Sequence, residues 1–335
     1  MNESTGPSAV SSAYSEIPLP PAAFAQAARR IAGHAHHTPL VTSRMLSAAS
    51  GFDVRLKAEL LQRTGSYKIR GPLNKLGQLD AEARERGVIC SSAGNHAQGV
   101  ALAARLYGIP ATVVMATNAT LSKVEATRAY GAEVVLHGSI WDEADAKARE
   151  LVAERGYVYV HPFDDLELIA GQGTVGWEVY QDWNEVDVAV VPIGGGGLIS
   201  GVAMALKGLN PAIRIIGVES AGAPAMQESL ARGRRITLEQ ADCKIDGLKV
   251  LRVGERTFEI VQRYVEKVVS LPDRAIFDAM LWTWSHTKLM AEAAAAAPVA
   301  ALLHGLIDAP PDSRVVCVLS GGNVNLDQVR GLDWN

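Results

Sequence analysis

The sequence predicts an α/β fold in which parallel sheets are covered by helices on both faces. Three observations point there. Short apolar runs alternate with stretches of helical periodicity along most of the chain. One of those runs passes directly into four consecutive glycines and then into a helical pattern, as in doubly wound sheets. At 335 residues the chain is long enough for two domains and a large buried core.

Taken in order, the first eighteen residues are rich in serine and polar groups and lack the apolar segment of a signal peptide, so a frayed tail is expected. Residues 52–61 form an apolar, strand-like run that leads into Gln62-Arg63-Thr64-Gly65-Ser66-Tyr67-Lys68-Ile69-Arg70-Gly71. Lys68 stands among small and hydroxylated neighbours, where a close backbone and a neutral amine suit imine formation with an aldehyde; a solvated surface lysine is the plainer alternative. Ser91-Ser92-Ala93-Gly94-Asn95-His96-Ala97-Gln98 precedes a helix whose Val100, Ala103, Ala104 and Tyr107 share one face. Serine and asparagine there can be ordinary N-caps, and His96 an ordinary surface residue.

Further strands fit residues 111–115, 132–136, 157–160, 186–193, 213–218 and 314–319, and helices fit 121–130, 141–155 and 198–206. Gly194, Gly195, Gly196 and Gly197 separate the fourth of those strands from Leu198, Val202, Ala205 and Leu206, which recur at helical spacing. Four glycines are costly in chain entropy for a mere turn, so bare amides at a helix N-terminus binding an anion is the reading; tight helix–strand packing is the alternative. The alanine run 293–297 continues a helical pattern and reads as packed helix.

Net charge is -4 with acids and bases mixed, so neither nucleic acid nor an anionic membrane is an expected partner. Cys90, Cys243 and Cys317 lack metal-type spacing and read as reduced core thiols. No apolar stretch approaches transmembrane length, and a cytoplasmic enzyme is expected. His34, His36 and His37 have no second cluster to complete a metal site. Trp282 and Trp284 cannot share a helix face, so one of them is expected in the core. Glu219, with Gly195, Gly197 and Gly201, imitates a dinucleotide fingerprint, which keeps an NAD(P)-dependent oxidoreductase as an alternative from another reaction class. The glycine order is wrong for it and Lys68 is left unexplained. A cofactor-free binding protein would leave the lysine segment idle as well.

Together, Thr64-Gly65-Ser66-Tyr67-Lys68, Ser92-Ala93-Gly94-Asn95-His96-Ala97-Gln98, Gly194-Gly195-Gly196-Gly197-Leu198 and Ser320-Gly321-Gly322-Asn323 resemble the fold-type II pyridoxal-phosphate enzymes, in the threonine/serine dehydratase and serine racemase branch. The segments follow the family's order over nearly the whole chain. The resemblance implies two parallel-sheet, doubly wound domains. Residues 21–88 and 162–335 would form a large cofactor-binding domain and 89–161 a small inserted one, after a flexible tail over 1–20. It implies that Lys68 carries pyridoxal 5'-phosphate as an imine. Gly194 to Gly197 and Leu198 would hold the phosphate, Asn95 the phenolic oxygen and Ser320 the pyridine nitrogen. Ser92, Asn95, His96 and Gln98 would lie near the substrate carboxylate. A homodimer is the expected assembly.

The implied activity is a dehydratase (ammonia-lyase) that turns an L-β-hydroxy amino acid into an α-keto acid and ammonia, a step of amino acid catabolism; an amino acid racemase is the alternative. A hydroxyl at Ser320 cannot hold a proton on the ring nitrogen as a carboxylate can, which suits elimination. The racemases of the family carry a serine at the position of Ala93, and a methyl group cannot transfer a proton to the second face of Cα. Three departures leave threonine, serine and phenylserine open as substrates. Tyr67 stands where phenylalanine is commoner, residues 115–120 lack the usual prolines, and alanines replace the glycines that normally follow Glu292. Where relatives bind a metal with an acid at the position of Glu219, the later ligand position is Ala225, so no tight divalent site is expected. The chain ends soon after Ser320, so feedback through an appended regulatory domain is not expected.

Overall fold

The structure, a computed structural model, describes residues 19–324 and 326–331. The first eighteen residues, where the frayed tail is expected, lie outside the described residues. The ten strands are β1 (Leu40–Thr42), β2 (Asp53–Ala58), β3 (Val88–Ser91), β4 (Ala111–Met115), β5 (Glu133–Leu136), β6 (Val158–Tyr159), β7 (Val188–Pro192), β8 (Arg214–Ser220), β9 (Lys267–Leu271) and β10 (Arg314–Leu319). Six form one sheet in the order β1-β2-β10-β7-β8-β9, and four form a second in the order β5-β4-β3-β6. All pairings are parallel except that of β1 with β2.

The central strands are continuous apolar runs because both faces of the sheet are covered. Side chains alternate between the two covers: Val188 and Val190 of β7 join one core, Ala189 and Val191 the other. Strand β10 repeats this, with Val315, Cys317 and Leu319 on the first side and Val316 and Val318 on the second. Helices Asp273–Thr287 and Ala293–Leu303 cover the first face, while Gly197–Leu209 and Glu255–Tyr264 contribute to the second. In the smaller sheet Val88 and Cys90 face helix Asn95–Tyr107, and Ile89 faces helix Trp141–Arg155. All three cysteines are buried and free.

The alanine-rich segment is indeed helical, and Ala294 to Leu302 are buried against the sheet. That helix fills the core where a tryptophan was expected, so Trp282 and Trp284 are both only half-buried on its flank. The Trp282 ring stacks on His286 at 4.3 Å, and Trp284 Nε1 donates to the Ala291 carbonyl at 2.7 Å. Among the described residues no helix is long and apolar enough to cross a membrane.

A buried polar cluster adjoins strand β2 of the six-stranded sheet. Arg70, wholly buried, donates to Glu59 (2.7 Å) and Glu178 (2.6 Å), and Lys57 donates to Glu178 (2.6 Å). The cluster ties β2, the segment after Lys68 and helix Leu166–Asp182 together. An arginine can stay charged there because every face of its guanidinium meets an acceptor.

Candidate active site

The strand order brings the sequence segments together. The lysine segment follows β2, Ser320 follows β10 and the glycines follow β7, and these three strands are adjacent and parallel. Their C-terminal ends therefore deliver the segments to one edge, where ligands bind in open α/β sheets. The chain closes the junction itself: Tyr67 N–H donates to the Ser320 carbonyl (3.0 Å) and Gly322 N–H to the Gly65 carbonyl (2.8 Å). From the smaller sheet, β3 runs into the 92–98 loop and helix Asn95–Tyr107. Gly99 of that helix lies so close that a Cβ on it would be 2.4 Å from the Lys68 carbonyl oxygen.

Lys68 lies half-buried on a short helical turn, Tyr67–Ile69, and its Nζ donates to the Pro162 carbonyl at 2.8 Å. Loss of hydration pushes the amine down to about 8, opposed by the negative field of Glu292. A neutral amine is thus accessible near physiological pH. The Tyr67 ring lies 5.4 Å from Nζ, and burial pushes its phenol up.

The four glycines are packed from beneath by residues distant in sequence. A Cβ on Gly195 would stand 2.2 Å from the Phe163 ring, and one on Gly197 would stand 2.6 Å from Gln172 Oε1. Gly196 has φ +95°, a conformation that side chains disfavour. Thr257 Oγ1 donates to the Gly195 carbonyl (2.7 Å), and the Asp164 carboxylate accepts from Glu255 N–H and Thr257 N–H (3.0 and 3.2 Å). The first turn of helix Gly197–Leu209, with buried Leu198, follows the loop and carries amides that have no partner within the helix.

Asn95 occupies the first position of its helix. Its Nδ2 donates to Glu292 Oε1 (2.9 Å), and its Oδ1 accepts from Asn323 Nδ2 (2.8 Å), which also donates to the Thr64 carbonyl (2.7 Å). Asn323 also explains Gly65: that residue has φ +69°, and a Cβ there would lie 2.4 Å from Asn323 Oδ1. Burial pushes the Glu292 carboxyl up to about 7.

The remaining expected residues behave differently from one another. Ser92 and Gln98 are half-buried, and Ser92 Oγ accepts from Gly94 N–H at 3.2 Å. His96 is buried, not a surface residue; its Nε2 donates to the Val160 carbonyl at 2.9 Å, and burial holds its pKa down at about 3. A neutral ring so committed ties the helix to the 160–164 segment and brings no charge to a carboxylate. Glu219 is buried with its two oxygens on the Met226 and Gln227 amides, each at 2.8 Å. His37 pairs with Asp182 (2.8 Å), while His36 contacts the Leu61 carbonyl and His34 packs against Tyr107, so the three histidines have separate partners. The sequence offered no signal for Pro162, Phe163 or Asp164 as site-builders, since their partners are far away in the chain, and it showed Asn323 only as the end of the Ser320 segment. In the sequence Glu292 is only the acid that precedes the altered, alanine-rich segment.

The donor set fits a flat cofactor with an aldehyde, a phosphate and a phenolic oxygen. A lysine of lowered proton affinity, a glycine cradle with no room for Cβ atoms and a clamped asparagine amide are all present. The buried Ser66 Oγ, beside the Ser320 segment, has no protein partner among the described residues.

Comparison with known proteins gives a consistent result. A family model described as pyridoxal-phosphate dependent enzyme matches residues 31–321. The L-threonine ammonia-lyase of Thermotoga maritima is 46% identical, over 91% of this chain and 75% of the relative. The catabolic L-threonine dehydratase of Escherichia coli K12 is 42% identical, over 91% of this chain and 93% of the relative. The structure of maize serine racemase superposes with a TM-score of 0.89 at 38% identity, covering 92% of this chain and 95% of that one.

Proposed function

The chain belongs to the pyridoxal-phosphate dependent enzymes, and from that premise we propose that it acts on a small L-β-hydroxy amino acid, with L-threonine and L-serine as the leading substrates and phenylserine as the bulkier test case. The enzyme is a pyridoxal-phosphate dependent carbon–nitrogen lyase, a dehydratase whose products are an α-keto acid and ammonia.

When bound, pyridoxal phosphate supplies the electron sink that makes an amino acid's Cα proton labile. In our reading Lys68 anchors it, and Gly194 to Gly197 with Leu198 offer backbone N–H groups to its phosphate at a helix N-terminus. Asn95 would donate to the phenolic oxygen and Ser320 would face the ring nitrogen. The Lys68 amine would also be the base for the substrate's Cα proton, a role its depressed proton affinity suits. Ser92, Asn95 and Gln98 receive the substrate carboxylate, and His96 holds their helix in place through Val160.

The observation that carries the reading is Lys68: a desolvated amine held on the Pro162 carbonyl beside a glycine cradle. Borohydride reduction of the yellow holoenzyme, followed by peptide mass spectrometry, should place the cofactor on Lys68; a label on another lysine would overturn the assignment. Racemisation is disfavoured because Ala93 has no transferable proton. With L-threonine and L-serine, chiral chromatography should find keto acid well in excess of D-amino acid.

We further propose that residues 89–161 act as a small domain inserted into a larger one formed by 21–88 and 162–335. We assign a homodimer in the cytoplasm as the working state. Sedimentation equilibrium at micromolar concentration tests the assembly, and a monomer would refute it.

A further inference from the structure

In the sequence Glu292 marks only the start of an altered family segment, yet its carboxyl lies where the lysine, asparagine and serine segments meet. Its backbone N–H donates to the Gly321 carbonyl (3.0 Å), and its Oε1 lies 2.7 Å from where a Cβ on Gly321 would be. The glycine after Ser320 is thus explained by this carboxyl. Oε1 also accepts from Asn95 Nδ2 (2.9 Å), while the other end of that amide accepts from Asn323 (2.8 Å). An ionised carboxylate cannot donate and the Asn323 amide nitrogen cannot accept, so only one sense of the Asn95 amide satisfies both neighbours. Among the described residues that sense leaves the second N–H of Nδ2 uncommitted. A reversed amide would set its oxygen against the carboxylate.

The same carboxyl acts electrically on Lys68. Its charge favours the protonated amine, and the lysine's charge in turn favours ionised Glu292. Other groups around the pair are accounted for. Burial keeps His96 and His161 neutral and the Tyr67 phenol protonated. The Lys123–Asp246 ion pair (2.8 Å) acts on Glu292 with two charges of opposite sense.

We propose that Glu292 is the positioning residue of this site: it fixes the Asn95 amide as a donor and provides the counter-charge for the Lys68 amine once that amine has accepted a proton. This rests on the assignment of Lys68 as the base. In the step concerned, the Cα–H bond breaks, its proton passes to Lys68 Nζ, and the bonding pair stays with the cofactor-bound substrate. An ammonium formed in a desolvated site is unstable without an opposite charge nearby.

The test reads Lys68 in the cofactor-free protein. Cyanate carbamylates only neutral amines, so the pH dependence of its reaction at the Lys68 peptide, followed by mass spectrometry, reports that amine's titration. The wild-type midpoint is expected near 8. Glu292→Gln should lower it by about one pH unit, and Glu292→Asp, which keeps the charge, should lie closer to wild type. In the holoenzyme Glu292→Gln should reduce kcat about tenfold or more with a smaller change in KM, and Glu292→Asp should recover part of it. A midpoint in Glu292→Gln equal to or above that of wild type overturns the proposal. Should that variant fail to fold, the carboxyl that titrates near pH 7 in wild type, read by infrared difference spectra of 13C-labelled glutamate, should move up in Lys68→Ala; no movement overturns it. If borohydride labels a lysine other than Lys68, the functional assignment fails, whereas the cyanate midpoints still decide the Glu292–Lys68 coupling.

Discussion

At Lys68, burial and the Glu292 carboxyl pull in opposite directions, and burial wins, leaving the amine at about 8. Only the neutral form attacks an aldehyde, and its fraction rises as pH increases through that value. Capture of pyridoxal phosphate by cofactor-free protein, followed by the growth of the lysine-bound absorbance, should therefore be about tenfold or more faster at about pH 9 than at about pH 6.5. A flat profile over that range would show that the amine is already neutral or is not the acceptor. In the proposed mechanism the residue that decides against racemisation is Ala93, whose methyl cannot deliver a proton. Ala93→Ser should increase D-serine formation from L-serine by about tenfold or more while elimination continues. Unchanged D-enantiomer on a chiral column would mean that another group serves that face.

At the scale of elements, the glycine loop is shaped by what lies under it. Phe163 leaves no room for a Cβ at Gly195, so Gly195→Ala must displace the ring or the loop. Such overpacking costs about 1–3 kcal/mol, and because the strain falls on the cradle it should appear as roughly tenfold weaker pyridoxal phosphate affinity in fluorescence titrations. Gly195→Ala combined with Phe163→Ala should recover part of the loss. If the single variant binds the cofactor as wild type does, the loop is not held as described. The 160–164 segment is the common support. Val160 receives His96, Pro162 receives Lys68, Phe163 underlies the glycines, and Asp164 caps helix Glu255–Tyr264.

For the molecule as a whole, the Arg70 cluster joins β2, the segment after Lys68 and helix Leu166–Asp182, and fixes the chain that leaves Lys68. Arg70→Met would leave Glu59 buried without its cation. Breaking such a pair costs about 3–5 kcal/mol, enough to lower the thermal midpoint of the cofactor-free protein by many degrees. A midpoint within about a degree of wild type would show that Glu59 is compensated by Thr38, its other hydrogen-bond partner, or by water. The exposed Lys123–Asp246 pair, by contrast, is screened by solvent and adds little to stability.

Periodicity in the sequence determined the parallel-strand architecture. Buried strands such as 188–192 and 314–319 must be apolar on both faces, and helices between them must show a 3.6-residue stripe. Local chemistry singled out Lys68, the four glycines and the Asn95 loop, because each segment carries an unusual residue pattern within ten positions. Strand β1 was not legible, since Leu40 and Val41 alone make too short an apolar run to register. What only the tertiary structure decided is how the segments meet. The last strand, β10, inserts between β2 and β7, and so sets Ser320 and Asn323 beside Thr64 and Gly65. Glu292, Phe163 and Asp164 enter the site through contacts with residues tens to nearly two hundred positions away. No local pattern encodes such contacts, because the energy that selects them arises from burial and charge pairing across the folded chain.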